Sequence, residues 1–224
     1  MRRSTASEGT TAEVQHALAR PGCAVCHLTQ RSVTRFLKAL AYEQVNDLEL
    51  RAELRASRGF CPAHAQRWLH MSGNVLGTAL IYTDAVTAAL RELSDAPASR
   101  GMLPGLFGGR SRDVVCVACR AELEAQDRYL DSLLEGLGSD AVATALAGSD
   151  GLCLPHTKRA VERGGRRAEP LLARAREVAV RLLAELAEVV RKEDYRFKDE
   201  PRTDAERTVP RRAVAWTAGL DGLT

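Results

Sequence analysis

The sequence predicts an all-α protein built from two homologous helical modules. Apolar residues recur at helical spacing along most of the chain, no segment has a convincing strand pattern, and one set of motifs occurs twice. Aromatic residues make up only 4% of the 224 residues, so Leu, Ala and Val must build the cores, and such cores suit helices. We therefore predict helices throughout, arranged as an internal duplication.

A C-x-x-C motif answered about 35 residues later by a C-x-x-H motif occurs twice and uses all six cysteines. The second copy follows the first at a constant offset of 93 residues, or 92 after one deletion. Three thiolates and one imidazole complete a tetrahedral shell around zinc, so each copy predicts one structural zinc ion. Grouped by copy, the predicted ligand sets are Cys23, Cys26, Cys61 and His64, and Cys116, Cys119, Cys153 and His156.

The spacing within each motif indicates how the ligands are presented. Cysteine and histidine three residues apart share one face of a helix. Gly59 and Gly151 come two residues before Cys61 and Cys153, where a tight turn needs a flexible backbone. If these cysteines lie in a first helical turn, the positive end of the helix dipole stabilises their thiolates. Each metal ion would then hold two helices together.

The first module is predicted over residues 12–94, after a disordered N-terminus at 1–11. Asn46 and Asp47 cap its second helix, and Gly73-Asn74 separates its third and fourth helices. The helices of this module are predicted at about 24–44, 48–58, 61–70 and 75–93. A Pro/Gly/Ser-rich linker follows at 95–112, and its apolar centre at 102–107 predicts a surface loop or, as the alternative, a partner-binding loop.

The second module is predicted over residues 113–194, with helices near 117–136, 140–147, 154–163 and 168–194. The last helix has a coiled-coil-like seam, which we expect to pack within its own chain rather than in a dimer. The seam consists of Leu172, Ala175, Ala179, Leu182, Leu186 and Val189.

A C-terminal tail at 195–224 completes the chain. Pro201 and Pro210 are expected to exclude a continuous helix there. Tyr195, Phe197 and Trp216 indicate that the tail folds back onto the body.

Composition and charge limit the classes of function that this protein can have. The net charge of +3 gives no evidence for a nucleic-acid partner, and no run of about 20 apolar residues predicts a membrane span. The N-terminal residues have no apolar stretch behind their arginines, so we expect no export signal and a cytoplasmic location. In that compartment paired C-x-x-C motifs indicate metal binding rather than disulfides.

Three other uses of the cysteines are alternatives to zinc. Two iron–sulfur clusters are the main alternative, although such clusters usually take four cysteines. Cys23 to His27 spells the C-x-x-C-H of haem attachment, but the second copy has Arg120 in place of that histidine. A thioredoxin-like site needs a βαβ context that the sequence lacks. H-E-x-x-H, P-loop and G-x-S-x-G motifs are also missing, so a non-enzyme is favoured and no catalytic residue is predicted.

One stretch is distinctly basic, with eight basic and three acidic residues between Lys158 and Arg181. Such a face can contact phosphates, but it has no interleaved aromatic residues for stacking on bases. We favour a solvated face over a nucleic-acid surface. The basic residues are Lys158, Arg159, Arg163, Arg166, Arg167, Arg174, Arg176 and Arg181.

Beyond the cysteine motifs, the sequence contains Y-E-Q-V-N-D at 42–47, F-C-P-A-H at 60–64, D-G-L-C-L-P-H at 150–156 and D-Y-R-F at 194–197. In this order, between about residues 20 and 216, the chain resembles the uncharacterised bacterial family known as domain of unknown function 6062. The resemblance implies the duplicated C-x-x-C and C-x-x-H plan but no activity. We expect an interaction or regulatory scaffold with two zinc ions. It would bind an unknown protein or small-molecule partner and would be a monomer or homodimer.

Overall fold

The computed structural model describes residues 5–44, 46–71, 75–94, 115–197 and 199–219. Every regular element in these ranges is helical, which confirms the all-α prediction. In chain order they are α1 (Thr5–Leu18), α2 (Ala24–Ala39) with a π-helical turn (Leu40–Gln44), α3 (Leu48–Ala56), α4 (Pro62–His70), α5 (Val75–Ser94), α6 (Val117–Gly136), α7 (Asp140–Gly148), α8 (Leu154–Gly164) with a 3₁₀ turn (Gly165–Ala168), α9 (Glu169–Lys192) and α10 (Asp204–Ala218).

The helix bounds agree closely with the predicted ones, because local signals set them. Asp47 caps α3 as predicted, its side chain accepting a hydrogen bond from the Leu50 backbone N–H at 2.8 Å. The N-terminus differs, since residues 5–11, expected to be disordered, belong to α1. The predicted break at Gly73-Asn74 and the linker at 95–112 lie outside the described residues.

The chain divides into two compact units whose limits do not coincide with the predicted modules at 12–94 and 113–194. The continuous unit is Arg31–Glu124, and the discontinuous unit combines Met1–Gln30 with Ala125–Thr224. Both boundaries fall inside helices, one in α2 and one in α6. Each unit therefore takes segments from both halves of the sequence.

Each unit has its own apolar core. In the discontinuous unit, Val25 and Leu28 at the start of α2 pack with Leu130 and Leu133 of α6, all buried. In the continuous unit, the later part of α2 packs with Trp68 of α4 and with Val117 at the start of α6. The two ends of α2 and of α6 thus serve different cores, which places their cysteines beside different neighbours.

The C-terminal tail packs on the body through α10, as predicted. Val209 is fully buried against Val178 and Leu182 of α9, and Leu186, Val189 and Trp216 join this cluster. The α9 seam is therefore packed within its own chain, at least over its second half. A Lys192–Glu206 ion pair at 2.8 Å, with both side chains 9% exposed, also ties α10 to α9.

Pro201 interrupts the helices as expected, because it lies between α9 and α10, but the expectations for Pro210 and Tyr195 were wrong. Pro210 lies inside α10, which continues through it to Ala218. The missing N–H weakens one turn, but a capping box between Thr203 and Glu206 and the burial of Val209 hold the adjoining residues helical. Tyr195 is 80% exposed, which shows that it does not pack on the body.

Asp194 to Phe197, the D-Y-R-F motif, forms the turn between α9 and α10. The Phe197 backbone N–H donates to the Asp194 carbonyl at 2.9 Å, and Asp194 pairs with Arg196 at 2.7 Å. The Arg191 guanidinium lies over the Phe197 ring at 4.7 Å. The motif therefore forms a hydrogen-bonded turn just after α9, in the connection to α10.

Within the described residues, no helix has both the length and the apolar composition needed to cross a membrane.

Candidate metal centres

The structure brings the eight predicted ligands into two groups of three cysteines and one histidine, but the predicted grouping by copy was wrong. Each C-x-x-C motif lies beside the C-x-x-H motif of the other copy. The Cys23 site consists of Cys23, Cys26, Cys153 and His156, and the Cys61 site consists of Cys61, His64, Cys116 and Cys119. Each unit contains one complete site. The Cys23 site lies in the discontinuous unit and the Cys61 site in the continuous unit.

The C-x-x-H half of each site is built in the same way. Cys153 is the N-cap residue of α8 and Cys61 the N-cap residue of α4, with φ and ψ of −63° and 161° against −66° and 163°. Each helix has a proline in its first turn, Pro62 in α4 and Pro155 in α8. The histidine follows on the same face, and its Nδ1 lies 3.1 Å from the N-cap sulfur in both sites.

A turn held by a serine presents each N-cap cysteine. Gly59 and Gly151 adopt φ of +83° and +71°, a region that favours glycine, so these two positions require it. The Ser57 hydroxyl donates to the Gly59 carbonyl at 2.9 Å, and the Ser149 hydroxyl accepts from the Gly151 N–H at 2.9 Å. Arg174 donates to the Ser149 carbonyl, which fixes the turn beside Cys153 from the side of α9.

The C-x-x-C half lies at the start of a longer helix. Cys23 and Cys116 precede α2 and α6, and Cys26 and Cys119 lie in their first turns. This half brings its sulfurs toward the histidine: Cys23 and Cys26 lie 3.5 and 3.4 Å from His156 Nδ1. In the other site Cys119 lies 3.4 Å from His64 Nδ1.

Most of these distances fit a single tetrahedral ion, and the 3.1 Å separation within each C-x-x-H motif is shorter than the ideal one. With Zn–S of about 2.3 Å and Zn–N of about 2.0 Å, tetrahedral angles place sulfurs about 3.8 Å apart and sulfur and nitrogen about 3.5 Å apart. The observed sulfur separations are 3.7 Å between Cys26 and Cys153 and 3.6 Å between Cys61 and Cys119. Each group can therefore hold one metal ion with four protein ligands.

The electrostatics of the thiols also favour a bound cation. Burial raises the pKa of Cys23, but hydrogen bonds with Cys153, Cys26 and His156 lower it well below its ordinary value. Hydrogen bonds with Cys153 and Cys23, together with burial, raise the pKa of Cys26. One thiol thus ionises readily while its neighbour resists, because a second negative charge nearby is unfavourable. A cation between them removes that conflict.

The Cys61 site follows the same pattern. Burial raises the pKa of Cys61, but the His64 backbone N–H and hydrogen bonds with Cys119 and His64 lower it overall. Burial and a hydrogen bond with Cys61 raise the pKa of Cys119 to about 12. The contribution of the His64 N–H agrees with the predicted role of the helix N-terminus in stabilising a thiolate.

Two neighbours of the sites were not found from the sequence. Glu122 Oε2 lies 3.6 Å from His64 Nε2, on the side of the ring away from the sulfurs. The spacing contained that signal, since Glu122 is three residues after Cys119 on α6. At the Cys23 site, the carbonyl of Gly219 at the end of α10 lies 3.5 Å from Cys26 Sγ. No local pattern could have placed Gly219 there.

A polar pocket of 380 Å³ adjoins the Cys23 site. His156 and Gly219 line it together with Gln126, Lys158, Arg159 and Glu162.

Most of the basic stretch from Lys158 to Arg181 is paired with carboxylates. The structure describes ion pairs for five of its eight basic residues. They are Arg159 with Asp127, Arg163 with Asp127 and Asp131, Arg174 with Glu177, Arg176 with Glu169, and Arg181 with Asp150. This pairing reduces the charge available to nucleic-acid phosphates.

The chain is similar to a protein described as an uncharacterized 23.9 kDa protein in the xynA 3′ region of Caldicellulosiruptor sp. (strain Rt8B.4). The identity is 29% over 200 residues, which cover 88% of this chain and 95% of the relative. The likeness therefore extends over nearly the full length of both proteins. No family model matches the chain. No solved structure matches it.

Proposed function

We propose that this protein binds two zinc ions, one in each Cys₃His group, and that the metals hold the fold of a cytoplasmic interaction or regulatory scaffold. The proposal includes an internal duplication as the origin of the two groups and membership of the domain of unknown function 6062 family. The six cysteines, all free thiols within reach of a metal, support a reducing compartment.

The observation that carries the proposal is the donor spacing. All four donor atoms of each group lie within 4.8 Å of one another. That spacing suits four ligands on one ion. A cluster of several iron atoms distributes its ligands over different irons, so its donors stand farther apart. The alternative of two iron–sulfur clusters is therefore less well supported than zinc.

A structural role follows from the ligand count. Catalytic zinc keeps one position open for water or substrate, whereas four protein ligands close the shell. Each ion would join the start of one long helix to the start of one short helix, in units whose cores are built mostly from aliphatic side chains. Zinc binding would then contribute directly to folding.

Metal analysis and spectroscopy test the metal. We expect two zinc per chain and no absorption in the visible range from protein purified both with and without air. Iron with acid-labile sulfide and a visible spectrum would replace the zinc assignment with the cluster alternative.

Chelation tests the structural role. Removal of zinc by a strong chelator should abolish most of the far-ultraviolet helical signal, and added zinc should restore it. A zinc-free chain that keeps its helicity and its thermal transition would contradict a structural role and favour a reactive or sensing site.

A further inference from the structure

Helix α5 of the continuous unit exposes a regular apolar stripe that neither metal site uses. Leu76, Val86, Leu90 and Leu93 are 72%, 62%, 62% and 61% exposed, and Ala79 and Thr83 between them are also exposed. Steps of three and four residues separate these six positions, which is the heptad pattern of a helix that packs against another helix. We call Leu76, Ala79, Thr83, Val86, Leu90 and Leu93 the α5 seam.

The opposite side of α5 is also apolar and already packed. Gly77, Ile81 and Ala85 are buried, and Ile81 belongs to the core of the continuous unit. A helix that is apolar on both sides is typical of a buried helix rather than a surface one. The α5 seam therefore has the character of an interface with a second partner.

The residues beside the α5 seam indicate what that partner is. The flanking positions of a coiled coil select partners by charge, and here they carry none. These positions are Val75, Leu80, Tyr82, Thr87, Ala89 and Ser94. The two acidic residues of α5 are engaged elsewhere, Asp84 with Arg51 at 2.8 Å and Glu92 with Arg58 at 2.6 Å. A second copy of α5 would thus meet no like-charge repulsion at the flanking positions, which offer no charge to select a charged partner.

The seam is also complementary to itself when two copies run antiparallel. A two-fold axis near residues 84 and 85 places Leu76 opposite Leu93, Ala79 opposite Leu90, and Thr83 opposite Val86. Each small or polar residue then faces a larger apolar one, as knobs-into-holes packing requires. A parallel pairing would instead set Ala79 against Ala79 and leave a gap.

We propose that two copies of this protein associate through an antiparallel pairing of their α5 seams. The inference goes beyond the zinc-scaffold proposal, because the seam contains no metal ligand and the pairing needs no second metal. A homodimer would present two copies of the continuous unit back to back along α5.

Sedimentation velocity of the zinc-loaded full chain, over a wide concentration range, tests the pairing. We expect a dimer whose dissociation constant rises at least tenfold in Leu90→Glu. The matched control is Leu183→Glu, an equally exposed leucine at 67% on α9, which should leave the dimer unchanged. A monomer at all concentrations, or equal effects of the two variants, would overturn the proposal. Val86→Lys serves as a second seam variant should Leu90→Glu lose zinc or helicity.

A mixing experiment tests the antiparallel register. Ala79→Lys and Leu90→Glu chains should each be monomeric alone, yet form a mixed dimer together, because position 79 faces position 90. If the mixture stays monomeric while the wild type dimerises, the antiparallel pairing is refuted.

Discussion

The Cys23 site and the Cys61 site share their motifs, their N-cap geometry and their donor distances, but they differ in their surroundings. At the Cys23 site three ligands are buried and the end of α10 lies against Cys26. At the Cys61 site only His64 and Cys116 are buried, and Glu122 lies beside the histidine. One local design is thus protected by packing in one unit and supported by a carboxylate in the other. We therefore expect the two sites to exchange their metal ions at different rates, although their ligands are of the same types.

The crossed grouping gives the largest predicted effect. Cys23→Ser with Cys153→Ser damages one site twice, so this chain should keep one zinc. Cys23→Ser with Cys61→Ser damages both sites and should lose both ions, with most of the helical signal, because structural zinc contributes on the order of 10 kcal/mol to folding. Zinc content per chain distinguishes the two variants. The reverse result, one zinc in Cys23→Ser with Cys61→Ser, would restore the grouping by copy.

Glu122→Gln should weaken zinc binding at the Cys61 site by roughly tenfold, because the carboxylate beside Nε2 helps to orient the imidazole of His64 toward the metal. Competition with a chromophoric zinc chelator measures the affinity of each site. Glu124→Gln, two residues further along α6, is the control and should have no effect. Equal affinities in wild type and Glu122→Gln would show that the 3.6 Å contact is incidental.

Gly219→Ala should speed zinc release from the Cys23 site several-fold without altering the Cys61 site. An added Cβ would lie 3.2 Å from Pro155 Cγ and 3.4 Å from Cys153 Sγ, at a φ of +70° that disfavours alanine. Release to excess chelator, followed by stopped flow, should separate a fast and a slow phase. Gly138→Ala is the control, since its Cβ meets nothing within 4 Å. A change in the fast phase alone would mean that α10 does not protect the Cys23 site.

The smallest effect is expected at Thr29, which follows Cys26 by three residues, as Glu122 follows Cys119. Its hydroxyl is buried without a hydrogen-bond partner, so Thr29→Val should raise the free energy of unfolding by about 1 kcal/mol. Urea unfolding of the zinc-loaded protein measures this change. A destabilised variant would reveal a partner for the hydroxyl. Thr157→Val is the control. The Thr157 hydroxyl donates to the Leu152 carbonyl at 3.4 Å, so its removal should not stabilise the protein.

The sequence was enough to predict the helices and the eight candidate ligands, because periodicity, caps and i, i+3 spacing are local signals. The grouping of the ligands was not local. Pairing Cys26 with Cys153 instead of Cys61 lengthens the loop from 35 to 127 residues, which costs only about 1 kcal/mol of closure entropy. So small an entropy cost does not determine which ligands group together, and the packing of the helices does. Buried Val25 places the start of α2 in the core that contains Leu152, and buried Val117 places the start of α6 in the core that contains Phe60.

Tertiary contacts, which local sequence signals do not reveal, also explain the other differences between the predicted and the observed structure. Pro210 is tolerated because Val209 is buried against α9, which no property of the tail alone reveals. Tyr195 was expected to pack because it is aromatic, yet the turn that contains it directs only Phe197 toward Arg191. The cover that Gly219 provides over Cys26 depends on where α10 ends in space.

The interleaved order of the ligands also matters while the chain is being made. Synthesis proceeds from the N-terminus, so Cys23, Cys26, Cys61 and His64 leave the ribosome before Cys116 exists. The first complete set of donors offered to zinc is thus a non-native one. A nascent chain must exchange ligands when Cys116 and Cys119 emerge, or remain metal-free until Cys119 completes the Cys61 site. Refolding the finished zinc-free chain avoids this trap, because all eight donors are then present from the start.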